Sequence, residues 1–91
     1  MVPSEWSERP VAGQRMSAVE YVLADLREGI ESGMIQVGER LPSETALAAR
    51  YAVSRAVIRE VLRSCVAAGL TVTRPGKGTF VVADHPAEMV F

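Results

Sequence analysis

Residues 53–63 read Val53-Ser54-Arg55-Ala56-Val57-Ile58-Arg59-Glu60-Val61-Leu62-Arg63. A serine stands where a helix would begin, and its short hydroxyl suits the N-cap. Arginines follow at 55, 59 and 63. With about 3.6 residues per turn, residues four apart share one helix face. Val57, Ile58, Val61, Leu62 and Cys65 form the opposite, apolar stripe. Such a helix can pack against a core while it presents a ridge of guanidinium groups. Guanidinium pairs with phosphate and reads guanine edges in the major groove. The stretch therefore predicts a DNA recognition helix, capped by Ser54 and running to about Ala68, with Gly69 as a left-handed stop.

Outward from this helix, Leu41-Pro42-Ser43-Glu44 predicts a short helix over residues 44–51. Ser43 caps it, Glu44 suits the positive end of the helix dipole, and Leu47, Ala48 and Tyr51 face inward. Only Ala52-Val53 remains as a turn, so the two helices form a helix-turn-helix. Further back, Ser17-Ala18-Val19-Glu20 is a capping box. The stripe Val19, Val22, Leu23, Leu26 and Ile30 predicts a helix over residues 18–32 that stops at Gly33. Met34-Ile35-Gln36-Val37 reads as a short strand or turn. Beyond Gly69 the period shortens to two: Leu70–Arg74 and Thr79–Ala83 are β-branched runs around the turn Pro75-Gly76-Lys77-Gly78. The fold class is α+β, mainly α: a winged helix-turn-helix of three helices plus a β-hairpin wing over residues 17–83. Residues 1–16 are expected to be a flexible lead-in and 84–91 a tail.

Composition narrows the function classes. Ninety-one residues make one small domain, and a hydrophobic fraction of 48% supports a modest core. No apolar run approaches the roughly 20 residues of a membrane span, and the polar start has no secretory core. A single cysteine excludes an internal disulfide framework and suits a reducing cytoplasm, with Cys65 packed as a small apolar residue. His85 is alone at the end of the chain, without metal-ligand spacing, and neither metal nor cofactor is expected. No catalytic constellation is present. Gly76-Lys77-Gly78 lies between strands rather than before a helix, which is wing chemistry and not a nucleotide loop. The chain carries a net charge of −1, yet from Arg50 to Lys77 six basic residues face one acidic, a local +5. Charges beyond roughly 8–10 Å are screened, so a basic face on an acidic body can still attract phosphate.

Together, Leu41-Pro42-Ser43-Glu44, Leu47-Ala48, Val53-Ser54-Arg55, Arg59-Glu60, Gly69-Leu70 and Gly76-Lys77-Gly78-Thr79-Phe80-Val81 resemble the N-terminal domain of GntR-type bacterial transcription regulators. The resemblance spans residues 18–83. It implies that Arg55 bonds guanine in the major groove, that Arg59 contacts base or phosphate, and that Ser54 caps the helix and touches the backbone. It further implies that Gly76 and Lys77 reach the minor groove or its phosphates. Arg63 is expected to be phosphate-directed or solvated, and Arg50 is a candidate phosphate contact. Ser43 and Thr45 are candidate phosphate contacts at a helix start. The implied partner is a double-stranded operator, a short inverted repeat bound by a homodimer, and the implied setting is a cytoplasmic bacterial repressor. Three positions depart from the family pattern. Thr45 stands where many relatives carry a DNA-contacting arginine. Ala56 replaces a frequent threonine but can meet a thymine methyl. Ala52 occupies a turn position that is often glycine. Only eight residues, Asp84–Phe91, follow the hairpin, so no effector site is expected within this chain. The competing reading is a winged-helix protein-interaction module using the acidic first helix (Glu20, Asp25, Glu28, Glu31), or a truncated form that modulates a full-length regulator.

Overall fold

The computed structural model describes residues 16–85. Residues 1–15 of the expected flexible lead-in, Trp6 included, and residues 86–91 of the expected tail lie outside the described residues. Helix α1 spans Ala18–Glu31, one residue short of the expectation, with Ser32 as its C-cap. Its capping box is reciprocal: Ser17 Oγ accepts from Glu20 N at 3.1 Å, and Ser17 N donates to Glu20 Oε1 at 2.9 Å. Val22, Leu26 and Ile30 are its buried stripe.

Helix α2 spans Glu44–Tyr51 and α3 spans Arg55–Ala67. Ser43 Oγ accepts from Ala46 N at 3.1 Å, and Ser54 Oγ accepts from Val57 N at 3.2 Å. Both serines thus satisfy amide donors that a helix start leaves orphaned. The turn between the helices is made by Ala52, with φ 56° and ψ 47°. This is the left-handed region, where a Cβ crowds the following carbonyl. Ala52 is exposed, so a glycine there loses no packing. Ala52→Gly is expected to stabilise the domain by about 0.5 kcal/mol, strain relief outweighing the added freedom of the unfolded chain. That corresponds to a Tm rise of roughly 2–4 °C in a thermal melt. An unchanged or lowered Tm would show that the turn carries no strain.

Strands β1 (Thr71–Arg74) and β2 (Gly78–Val81) form the antiparallel hairpin, with Thr71 opposite Val81 and Arg74 opposite Gly78. They are shorter than the runs in the sequence. Outside the ladder, the Leu70 carbonyl instead accepts from Val82 N at 2.8 Å and Ala83 N at 3.3 Å. Residues 34–37 are not a strand, which settles the two-way expectation in favour of bends and a turn. Glu39 N donates to Gln36 O at 2.9 Å, and Gly38 takes φ +94° in that turn. The extended segment comes just afterwards. Gly38 N donates to Val81 O at 2.7 Å, Val81 N to Glu39 O at 2.9 Å and Leu41 N to Thr79 O at 2.8 Å, around a bridge between Arg40 and Phe80. β2 is therefore paired on both edges, and the segment entering α2 is tied to the wing.

Two apolar clusters hold these parts together. Val22, Leu26, Leu47, Ile58, Val61 and Cys65 join the three helices. Ile30, Leu41, Leu70 and Val81 anchor the hairpin to the end of α1. Burial pushes the Cys65 thiol above its ordinary pKa, so it packs as an inert apolar group. Tyr51 Oη donates to Asp25 Oδ2 at 2.6 Å and ties α2 to α1. Burial, and then the Asp25 carboxylate, push that phenol up to about 12, so it keeps its proton at neutral pH. No helix among the described residues is long and apolar enough to cross a membrane.

Candidate nucleic-acid interface

Helix α3 buries Ile58, Val61 and Cys65, and this orientation leaves Arg55, Arg59 and Arg63 exposed on its outer side. Arg55 is the first residue of α3, and Glu44 is the first residue of α2. The short turn at Ala52 brings these two helix starts together. Glu44 Oε1 lies 3.5 Å from Arg55 Nη2 and 3.3 Å from Arg59 Nε, so one carboxylate bridges both arginines. The sequence reading missed this pairing, because it assigned Glu44 to the α2 dipole alone. The available signal was that Arg55 opens a helix with no acidic residue in its first turn. The arginine side chains remain 58% and 52% exposed. Ion pairs this open to water contribute about 0–1 kcal/mol, so their main effect is on orientation. The two guanidinium groups are held side by side at the start of α3.

Arg63 lines a cleft between α3 and the hairpin, together with Arg40, Ser43, Glu44, Arg59, Leu62 and Thr79. Arg50 is placed elsewhere: its guanidinium stands 5.9 Å from the Tyr51 ring centroid, beside a groove that contains Asp25, Glu28 and Glu39. Thr45 and Ala56 are exposed second residues of α2 and α3. The hydroxyls of Ser43 and Ser54 accept cap hydrogen bonds, which leaves each hydroxyl proton available to an acceptor. At the wing tip, Lys77 N donates to Arg74 O at 2.9 Å, and Gly76 adopts φ +73°. That backbone favours glycine, and Lys77 is exposed beside it. His85 pairs with Asp84 at 2.8 Å, and no metal-holding group of side chains occurs among the described residues.

Residues 18–81 match the sequence profile of the family described as "Bacterial regulatory proteins, gntR family". The chain belongs to the gntR family. The Exu regulon transcriptional regulator of Escherichia coli (strain K12) is 39% identical to this gntR-family chain over 67 residues, 74% of this chain and 26% of the relative. The probable fructoselysine utilization operon transcriptional repressor of the same organism is 41% identical over 56 residues, 62% of this chain and 23% of the relative. The chain thus spans about a quarter of the length of these regulators. Among solved structures, the crystal structure of AraR(DBD) in complex with operator ORE1 is similar with a TM-score of 0.75 and 27% identity, covering 80% of this chain and 89% of that one. The gntR-family chain shares the winged-helix architecture of these DNA-binding domains, and these relatives are regulators rather than enzymes.

Proposed function

We propose that this chain is the sequence-specific DNA-binding domain of a gntR-type transcription regulator. Helix α3 enters the major groove and the hairpin lies on the adjacent minor groove. The observation that carries this reading is the pair Arg55 and Arg59, exposed at the start of α3 and oriented by one carboxylate. Arg55 is assigned to guanine and Arg59 to base or phosphate, with Ala56 available to a thymine methyl. Ser43, Thr45, Ser54, Arg63, Gly76 and Lys77 are assigned to the backbone, where contacts set register and affinity. The similarity to a domain bound to its operator supports the assignment. A homodimer on a short inverted repeat, repression as the outcome and a cytoplasmic location complete the proposal, with effector control placed outside this domain.

Selection from a random duplex pool by the purified chain, at low and near-physiological salt, tests it. Enrichment of an inverted repeat with guanine-containing half-sites is expected, and the half-site spacing would report the dimer geometry. Salt-sensitive binding without an enriched motif would leave only a phosphate-gripping face. Absence of binding at either salt would move the assignment to a protein-interaction module.

A further inference from the structure

The basic residues along α3 and in the hairpin cleft differ in how their charge is compensated. Arg55 and Arg59 share the Glu44 carboxylate. Arg63 and Arg40, both on the cleft wall, have no acidic partner within ion-pair distance among the described residues. Arg40 comes from the extended segment before α2, outside the basic run that begins at Arg50. The bridge to Phe80 fixes its backbone against β2. Its side chain lies across Gly78: a Cβ there would stand 2.7 Å from Arg40 Nε, so the bare glycine backbone makes room for it. The Thr73 and Thr79 side of the hairpin faces the same cleft. The same wall carries Glu44, but its carboxylate is engaged by Arg55 and Arg59, so the guanidinium groups of Arg40 and Arg63, beside the threonine hydroxyls, are left to bind an anion.

From this we infer that Arg40 and Arg63 form a phosphate site that grips one DNA strand in the cleft between α3 and the hairpin. The inference rests on the DNA-binding reading and deepens it. In B-form DNA a major groove and its neighbouring minor groove are separated by a single sugar-phosphate strand. With α3 in one groove and the wing in the other, that strand must cross the cleft between them. Arg40 and Arg63 stand on its wall as forked N–H donors for the phosphodiester oxygens. Arg40 thereby becomes a backbone contact that carries no base preference.

The test is the salt dependence of binding by the full chain, for one selected and one scrambled duplex, with Arg40→Ala and Arg40→Lys. Arg40 is exposed, so both variants are expected to keep the wild-type melting curve. Arg40→Ala should weaken both duplexes by the same factor and reduce the slope of log K against log salt by about 0.9, the loss of one neutralised phosphate. Arg40→Lys should restore the slope, because a point charge suffices for phosphate. An Arg40→Ala slope equal to wild type, in a chain that still selects its sequence, would overturn the site and leave the DNA-binding reading intact. A wild-type chain that binds neither duplex would sink that reading itself. Inorganic phosphate, titrated at constant ionic strength without DNA, separates a strand contact from a free-phosphate site. Saturable amide shifts at Gly78 and Thr79 together with an unchanged Arg40→Ala salt slope would assign the cleft to free phosphate and overturn the strand contact, whereas a lowered slope supports the strand contact.

Discussion

Arg55→Ala is expected to abolish most of this chain's preference among DNA sequences while leaving much of its binding to arbitrary duplex DNA. The two quantities separate because they come from different contacts. Affinity for any duplex is set by the number of phosphates neutralised, and several basic side chains share that task. Preference is set by the few groups that reach base edges, and Arg55 stands at the exposed start of α3, the end proposed to enter the major groove. A bidentate arginine contact to guanine is worth roughly 1–3 kcal/mol of discrimination. Its removal should lower the ratio of selected to scrambled affinity by about five- to 150-fold, at about 1.4 kcal/mol per factor of ten. Competition binding at fixed salt reads this ratio directly. Glu44→Gln in the same assay should act on the same term, since its carboxylate orients both Arg55 and Arg59. It removes a negative charge, so binding to scrambled duplex should hold or strengthen while discrimination falls. If Arg55→Ala kept its half-site preference, α3 would not be the reading element.

The second large effect is on stability. Ile58 is fully buried in the cluster that joins α1, α2 and α3, against Val22, Leu26 and Leu47. Ile58→Ala removes three carbons from the middle of that cluster, and large-to-small core changes of this kind cost about 2–5 kcal/mol. Native domains are stable by only about 5–15 kcal/mol, and one of this size has a small core from which to draw. Ile58→Ala should therefore unfold at a Tm lower by about eight degrees or more, given roughly 4–8 °C per kcal/mol at this chain length. Ile58→Val, which leaves a smaller hole, should cost about 0.5–1.5 kcal/mol. Thermal and urea melts followed by circular dichroism measure both. A Tm for Ile58→Ala close to wild type would mean that the α3 stripe is not the face that builds the core. DNA binding should fall with it for a reason different from Arg55→Ala: loss on heating, with unchanged sequence preference in the fraction that remains folded.

The sequence by itself determined the elements, because their causes are local. Three serines at cap positions, the apolar stripes at helical spacing and the β-branched runs around Pro75–Gly78 each act within a few residues. The helices accordingly begin where these signals stand, at Ala18, Glu44 and Arg55. The arginine ridge was legible for the same reason, since a period of four already places Arg55, Arg59 and Arg63 together. What sequence could not disclose involves partners distant along the chain. The third extended segment falls at Gly38–Leu41 rather than at residues 34–37, because its hydrogen bonds are to β2, some 40 residues later. The Glu44 bridge arises only when the turn at Ala52 has set two helix starts side by side. Arg40 joins the basic face only because the sheet carries its backbone across the wing, over a glycine with no side chain to obstruct it. Local propensity and period are written in consecutive residues, whereas ion pairs and clefts depend on how packed elements meet. Only the tertiary structure could show which charges are already compensated and which face the solvent unpaired.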